Sequence, residues 1–355
     1  MKTIPLLILT LLIFLAGCAP VAVPQAAEPP SPALSDWVWP LPPDPPRIQH
    51  LSTFITPKDL GITKGFWAKV WEFIAGNNDE LDRIVSPHGL VADGEGKLYV
   101  ADWGAASVQY LNFVKQQYDQ FSKTKKGNLV SPIGAALDGD GLVYISDSVL
   151  RRVFVFSGSR NKRIIGEDDS LLRPTGIAIN KKEKKLYVVD TMGNCVVIFD
   201  LSGTKIASFG KRGGDDGEFN YPTHVTIDTS GDVYVMDTLN FRVQIFDKDG
   251  KFLSKFGGTG TALQDFMKPK GIAVDSERHI WVSDGLRDTI QVFDRDGKLL
   301  LIFGRQGIGA GEFDVPAGLY IDSKDRLYVA DSYNYRVQVF QYLKVEQKVS
   351  VGKTD

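Results

Sequence analysis

From residue 87 onward the chain repeats one pattern of apolar and polar positions. A proline opens a run of apolar and small residues, as in Pro174-Thr175-Gly176-Ile177-Ala178-Ile179 and Pro269-Lys270-Gly271-Ile272-Ala273-Val274-Asp275. A second apolar run follows and closes on an aspartate, as in Leu327-Tyr328-Val329-Ala330-Asp331. Six residues past each such aspartate lies Val108, Val153, Val196, Val243, Ile290 or Val337. Nine past it lies Phe156, Phe199, Phe246, Phe293 or Phe340, with Leu111 in the first copy. Several copies end in a third run such as Phe252-Leu253-Ser254-Lys255-Phe256-Gly257. The opening prolines are Pro87, Pro132, Pro174, Pro222, Pro269 and Pro316, spaced 45, 42, 48, 47 and 47 residues apart.

Each unit predicts four short strands separated by Gly, Asp and Asn turns, such as Asp249-Gly250, Asp296-Gly297 and Ser202-Gly203. A single four-stranded unit cannot bury both of its faces. Six of them stacked around a central channel can, which predicts an all-β, six-bladed β-propeller. The proline suits the start of an inner strand, and the glycine after it lets backbones crowd near the axis. The recurring aspartates Asp102, Asp147, Asp190, Asp237, Asp284 and Asp331 are expected to cap the turn between second and third strands. Arg152, Arg242 and Arg336, five residues on, are natural partners for them. Recurrence in every copy marks these acids as structural, not catalytic.

The sixth unit lacks its last strand. Leu51-Ser52-Thr53-Phe54 parallels Leu253-Ser254-Lys255-Phe256, so residues 47–54 are expected to complete that blade and protect its edge. Phe66, Trp67, Val70, Trp71 and Ile74 share one face at helical spacing. They predict a short amphipathic helix over residues 63–75, between the closing strand and the first blade.

The first residues have a different character. Lys2 precedes an apolar run over residues 6–15, too short to span a bilayer. The run ends in Leu15-Ala16-Gly17-Cys18, which resembles a bacterial lipobox. The resemblance implies a signal peptide over 1–17 and a lipidated Cys18, carrying palmitate among its acyl chains. Ten of the chain's 18 prolines lie between Pro20 and Pro46. Residues 18–46 therefore read as a polyproline II tether, which at ~3.1 Å per residue reaches on the order of 80 Å. Trp37 and Trp39 are expected to touch the folded domain or the lipid headgroups, or else to stand as exposed aromatics of the linker. Ala19 in place of an aspartate favours the outer membrane of a Gram-negative cell, facing periplasm or surface. Residues 344–355 form a polar tail.

Composition narrows the function. The 355 residues are 43% hydrophobic and 24% charged, as in ordinary globular proteins. A net charge of −2 argues against a nucleic-acid partner. Two cysteines and four histidines leave little material for disulfide frameworks or metal clusters.

The repeated phrases resemble the NHL repeat family of six-bladed β-propellers, over residues 47–343. Lipobox, tether and propeller together are similar to bacterial NHL-repeat lipoproteins. That resemblance implies an exported propeller anchored in the cell envelope, serving as a scaffold with a protein, peptide or glycan partner on a loop face. An enzyme is the alternative. Pro87-His88-Gly89-Leu90 resembles the zinc-ligand segment of the peptidyl-hydroxyglycine amidating lyases, which implies a metal-dependent lyase or hydrolase with a site in the channel. Those enzymes hold zinc with three inner-strand histidines. Here the matching positions hold His88, Ile133, Thr175, Thr223, Lys270 and Ala317. His224 lies one residue further on, in place of the usual glycine, and is expected to face away. Blade 4 sits opposite blade 1, so the two histidines are expected to lie too far apart for one ion. His88 and His224 remain the candidate metal ligands. A calcium site of the lactonase type needs acidic or amide side chains at the axis, and these positions supply none. No catalytic residue and no cofactor is assigned, with zinc or calcium left open. Cys195, where three other blades have arginine, reads as a packed thiol, and His50 and His279 as structural or exposed. The scaffold reading is preferred. Replacing the lipid site, Cys18→Ser, is expected to move the protein from the membrane to the soluble fraction; persistent membrane association overturns the anchor.

Overall fold

The computed structural model describes residues 37–41, 43–60, 83–168 and 170–344. The signal peptide, Cys18, the tether as far as residue 36, the helix expected over 63–75 and the tail beyond 344 lie outside the described residues.

Six blades surround one axis. Their inner strands are Pro87–Ala92, Pro132–Leu137, Pro174–Asn180, Pro222–Ile227, Pro269–Val274 and Pro316–Ile321. Blade 4 shows the common plan, with Val233–Asp237, Arg242–Phe246 and Phe252–Phe256 following outward from the axis. Successive strands pair antiparallel. Each inner strand neighbours the next around the ring, and the sixth neighbours the first. A Cβ at Gly134, Gly271 or Gly318 would collide with the backbone of the next inner strand, at Thr175, Ala317 and His88 respectively. Equivalent positions therefore face each other, and all six strands run the same way. Their proline ends lie on one face of the disc.

The core lies between blades. The second and third strands are buried on both sides, which explains their continuous apolar runs. Between blades 3 and 4, for example, Tyr187, Val189 and Ile198 pack with Phe219, Val225 and Phe246. In the sixth blade Ile48–Phe54 supplies the outer strand, with Ile48 opposite Tyr342 and Phe54 opposite Val337. This is the closure expected from the sequence. A fifth strand, Val38–Trp39, pairs beyond it. The tether's end is thus sheet and not polyproline II. Trp39 packs 5.6 Å from Phe303 and 5.9 Å from Phe340, ring centre to ring centre, and so belongs to the domain core.

The recurring aspartates hold the proline face together. Each is buried, and each pairs in register with the proline of its own inner strand. Asp147 accepts the backbone N–H groups of Val130 and Ser131, at 2.7 and 3.0 Å. Asp102, Asp190 and Asp284 accept the same pair in blades 1, 3 and 5. In blades 4 and 6 an arginine joins. Arg242 Nε donates to Asp237 at 2.8 Å and Arg336 Nε to Asp331 at 2.7 Å. Their remaining N–H groups reach carbonyls of the interblade loop, at Gly214, Asp215 and Glu218 or at Gly309 and Glu312. Arg152 departs from its expected role. Its Nε is buried without a partner, and Asp147 is satisfied by backbone alone.

Removing one of these acids orphans several buried donors at once. For Asp237→Ala these are Asn220 N–H, Asn240 Nδ2 and the Arg242 and Gln244 side chains. The expected loss is about 3–5 kcal/mol, read as a lower denaturant midpoint at unchanged slope.

Candidate functional site

The inner strands enclose a channel cavity of about 220 Å³ with all six blades in its wall. The wall is largely backbone, Leu, Ile, Val and Ala. Lys181, His224, Thr226 and Tyr320 are its polar side chains. Toward the proline face two imidazoles fill the axis. The rings of His88 and His224 stack with centroids 5.5 Å apart and planes 21° from parallel. This corrects the expectation that His224 faces away and that the pair is far apart. Opposite blades of so small a ring place their inner strands within reach of two side chains. The glycine position that His224 occupies presses on a neighbouring backbone in the other blades, so its larger side chain takes the one open direction, the axis.

The pair is poorly satisfied. Each Nδ1 is buried with no hydrogen-bond partner. Burial, then the neighbouring His224 and Lys270, hold His88 down to about 3. Burial and Lys270 lower His224 to about 4. Lys270, on the inner strand of blade 5, is half-buried and lowered to about 8 by burial and by Lys268. Its side chain runs along Gly285 in the turn of its own blade, 3.1–3.2 Å from where a Cβ would stand. Its ammonium makes no ion pair or hydrogen bond among the described residues. Hydroxyls brace the same level: Thr175 with Thr191 at 2.8 Å, and Thr223 with Thr238 at 2.6 Å.

This donor set does not suit a resident metal. Among the described residues no three His, Cys, Asp or Glu side chains are placed to hold an ion. The nearest third group is the cationic Lys270, which repels one. The other sequence candidates are structural. His50 Nε2 meets Thr53 Oγ1 at 2.9 Å, and burial and Arg336 lower the ring to about 4. His279 Nδ1 lies 3.0 Å from Asp275, whose hydrogen bond raises it. Burial pushes the half-buried Cys195 thiol up to about 11, away from nucleophilic use.

Around the channel mouth stands a feature that the sequence reasoning did not single out. The turn after each capping aspartate carries a large exposed apolar residue: Trp103, Val149, Met192, Leu239, Leu286 and Tyr333, each 47–60% exposed. Three interblade loops add exposed Val130, Leu172 and Met267, two residues before their prolines. All belong to the proline face. On the opposite face, among the described residues, the turns between first and second strands expose no large hydrophobic. They are instead built on Asp138, Asp228, Asp275 and Asp322, which bond Tyr144, Tyr234, Trp281 and Tyr328. The apolar crown was readable, because a large apolar residue recurs where a turn favours polar ones.

Two family models match this chain. An NHL repeat model covers residues 313–340, in blade 6, and an SMP-30/gluconolactonase/LRE-like region covers residues 158–257, from the end of blade 2 through blade 4. The chain is a six-bladed β-propeller whose sixth blade matches the NHL repeat. Similar solved structures share its fold at low identity. A protein of unknown function from Bacteroides thetaiotaomicron is 16% identical with a TM-score of 0.60, over 83% of this chain and 75% of that one. A streptogramin B lyase is 12% identical with a TM-score of 0.55, over 73% and 94%. An auxiliary nutrient binding protein from Bacteroides thetaiotaomicron is 11% identical with a TM-score of 0.55, over 75% and 71%.

The histidine pair gives this propeller a defined acid response. Both folded values, about 3 and about 4, lie below the unfolded value of 6.5. The unfolded chain therefore takes up protons that the folded one refuses. The stabilising contribution is complete above pH 6.5 and is lost as pH falls toward 4, at about 1.4 kcal/mol per pH unit for each proton refused. Imidazole NMR signals of both residues are expected not to titrate between pH 8 and 5. The His224→Gly variant is expected to lose less melting temperature than the wild type over that range. Titration of either ring near 6.5 overturns the assignment.

Proposed function

We propose that this propeller is a binding platform of the cell envelope, tethered through Cys18, which receives an apolar-faced protein or peptide on its proline face. The observation that supports the reading is the crown of exposed apolar side chains, one from every blade, around the channel mouth. Exposed apolar surface in contact with water is unfavourable, and a concentration of it on one face marks a surface that is covered in use. The residue types fit, since aromatic side chains and methionine are enriched where proteins meet. The scaffold beneath is rigid, because buried carboxylates fasten the turns that carry the crown. Loops of this kind carry recognition on a fixed frame. A structural neighbour described as a nutrient-binding protein agrees in fold alone.

The test is crosslinking and affinity capture of the full-length protein from its own membranes, with and without the crown. Trp103→Asp, Leu239→Asp and Tyr333→Asp combined are expected to leave the melting temperature within a few degrees of the wild type, because the positions are exposed. They are expected to abolish stoichiometric capture. Undiminished capture by the triple variant overturns this choice of face.

A further inference from the structure

At the centre of the crown the axis is cationic, with its charge unpaired among the described residues. Lys270 lies at its wall, and its ammonium has no acidic partner among the described residues. Arg173 and Lys268 stand exposed immediately before Pro174 and Pro269, and their side chains are likewise unpaired there. The floor is the stacked pair of His88 and His224. Among the described residues, the groups acting on these rings are Lys270 and, for His88, the other ring and the Ile133 backbone, with no carboxylate among them. The aspartates of the same level are turned into their own caps, as Asp102 and Asp284 show. Among the described residues the rim also holds Asp314, which is half-buried, and Asp288, which accepts the Val315 N–H at 2.8 Å.

Two other half-buried cations show what pairing looks like in this protein. Arg326 meets Asp322 at 2.7 Å, and Arg278 meets Asp228 at 2.8 Å. Withholding water from an ammonium without supplying an acceptor is costly. Lys270 lies uncompensated among the described residues, beside two imidazoles whose Nδ1 atoms also lack partners.

We propose that this end of the axis binds a carboxylate carried on an apolar body, with the acid group at Lys270 above the His88–His224 floor and the apolar part against the crown. The proposal rests on the platform reading and deepens it by naming the chemistry of what the platform receives. A single ammonium is a point charge suited to one monoanionic group, and a neutral imidazole adds one N–H donor. The rim supplies long-range attraction through Arg173 and Lys268. The acid can be a free small molecule or a side chain of a partner peptide. The chemistry at Lys270 is the same.

Two matched pairs of probes test this on the intact protein by NMR titration. One is 4-phenylbutyrate against 4-phenylbutanol. The other is a tripeptide with glutamate between two leucines against its glutamine counterpart. The acid of at least one pair is expected to bind at least tenfold more tightly than its neutral partner and to shift the His88 and His224 signals. Lys270→Met is expected to abolish that preference, whereas Lys205→Met, on the exposed outer strand of blade 3, preserves it. His224→Gly, which writes in the glycine of the other five blades, is expected to weaken the acid severalfold and provides a second folded variant. Preference in the first pair alone identifies a free acid, and preference in the peptide pair a partner side chain. Equal binding of acid and neutral probes in both pairs overturns the proposal, as does a preference that survives Lys270→Met. Neither overturning result depends on capture by the crown, so the platform reading stands or falls separately.

Discussion

The buried carboxylate at the proline end of each blade is the constraint on which the rest depends. Without it, the chain arriving from the preceding blade would bring backbone N–H groups into a dry interior with nothing to accept them. Asp147 shows the minimum solution, in which backbone donors alone surround the acid. Asp237 and Asp331 show the extended one, in which an arginine and a glutamine bind the acid and the loop together. In either form the carboxylate ties three pieces of chain: the interblade loop, the end of the second strand and the turn to the third. Its charge is stabilised by several short hydrogen bonds, which is what makes a buried acid tolerable.

That fastening has a consequence for the surface. A turn whose backbone is held from below does not need its tip for stability, so the tip is free to vary. Each blade uses that freedom in the same way, placing an apolar residue where solvent would favour a polar one. The opposite face is organised otherwise. Its acids are also buried, but they engage tyrosine and tryptophan of the second strand, and arginines cross from neighbouring turns, as Arg278 does to Asp228 and Asp232. One face is closed by its own polar network, while the other is left apolar around a cationic mouth. The asymmetry follows from side chains alone, since the backbone repeats.

Much of the fold was legible because it is written six times. Proline, glycine and aspartate at fixed intervals gave the blade count, the strand order and the pairing of Ile48–Phe54 with the last blade. What repetition could not show was contact across the axis. His88 and His224 belong to opposite blades and to different positions of the repeat, so no sequence interval relates them. Their stacking depends on the ring's narrow diameter and on a glycine position being filled once. Arg152 failed in the opposite sense. It occupies the same repeat position as Arg242 and Arg336, but blade 2 lacks the glycine-rich loop whose carbonyls orient those arginines, and position alone does not make an ion pair.

The informative residues at the axis are therefore those that break the repeat. Small or neutral side chains at the inner positions would close the channel at no electrostatic cost, and Ala317 and Ile133 do so. His88, His224 and Lys270 introduce titratable groups into that dry level, and burial acts against the charged form of each. A stable propeller does not need this. The cluster lowers stability in acid and leaves an ammonium without an acceptor. A cluster that weakens the folded state in acid and leaves both Nδ1 atoms and an ammonium unpaired among the described residues is the ground for proposing a ligand from outside. Lys270 lies toward the face that the buried aspartates fasten and the apolar crown surrounds. Rigidity, apolar rim and unpaired charge thus converge on one face for separate physical reasons, and that convergence is the ground for proposing a binding mouth there.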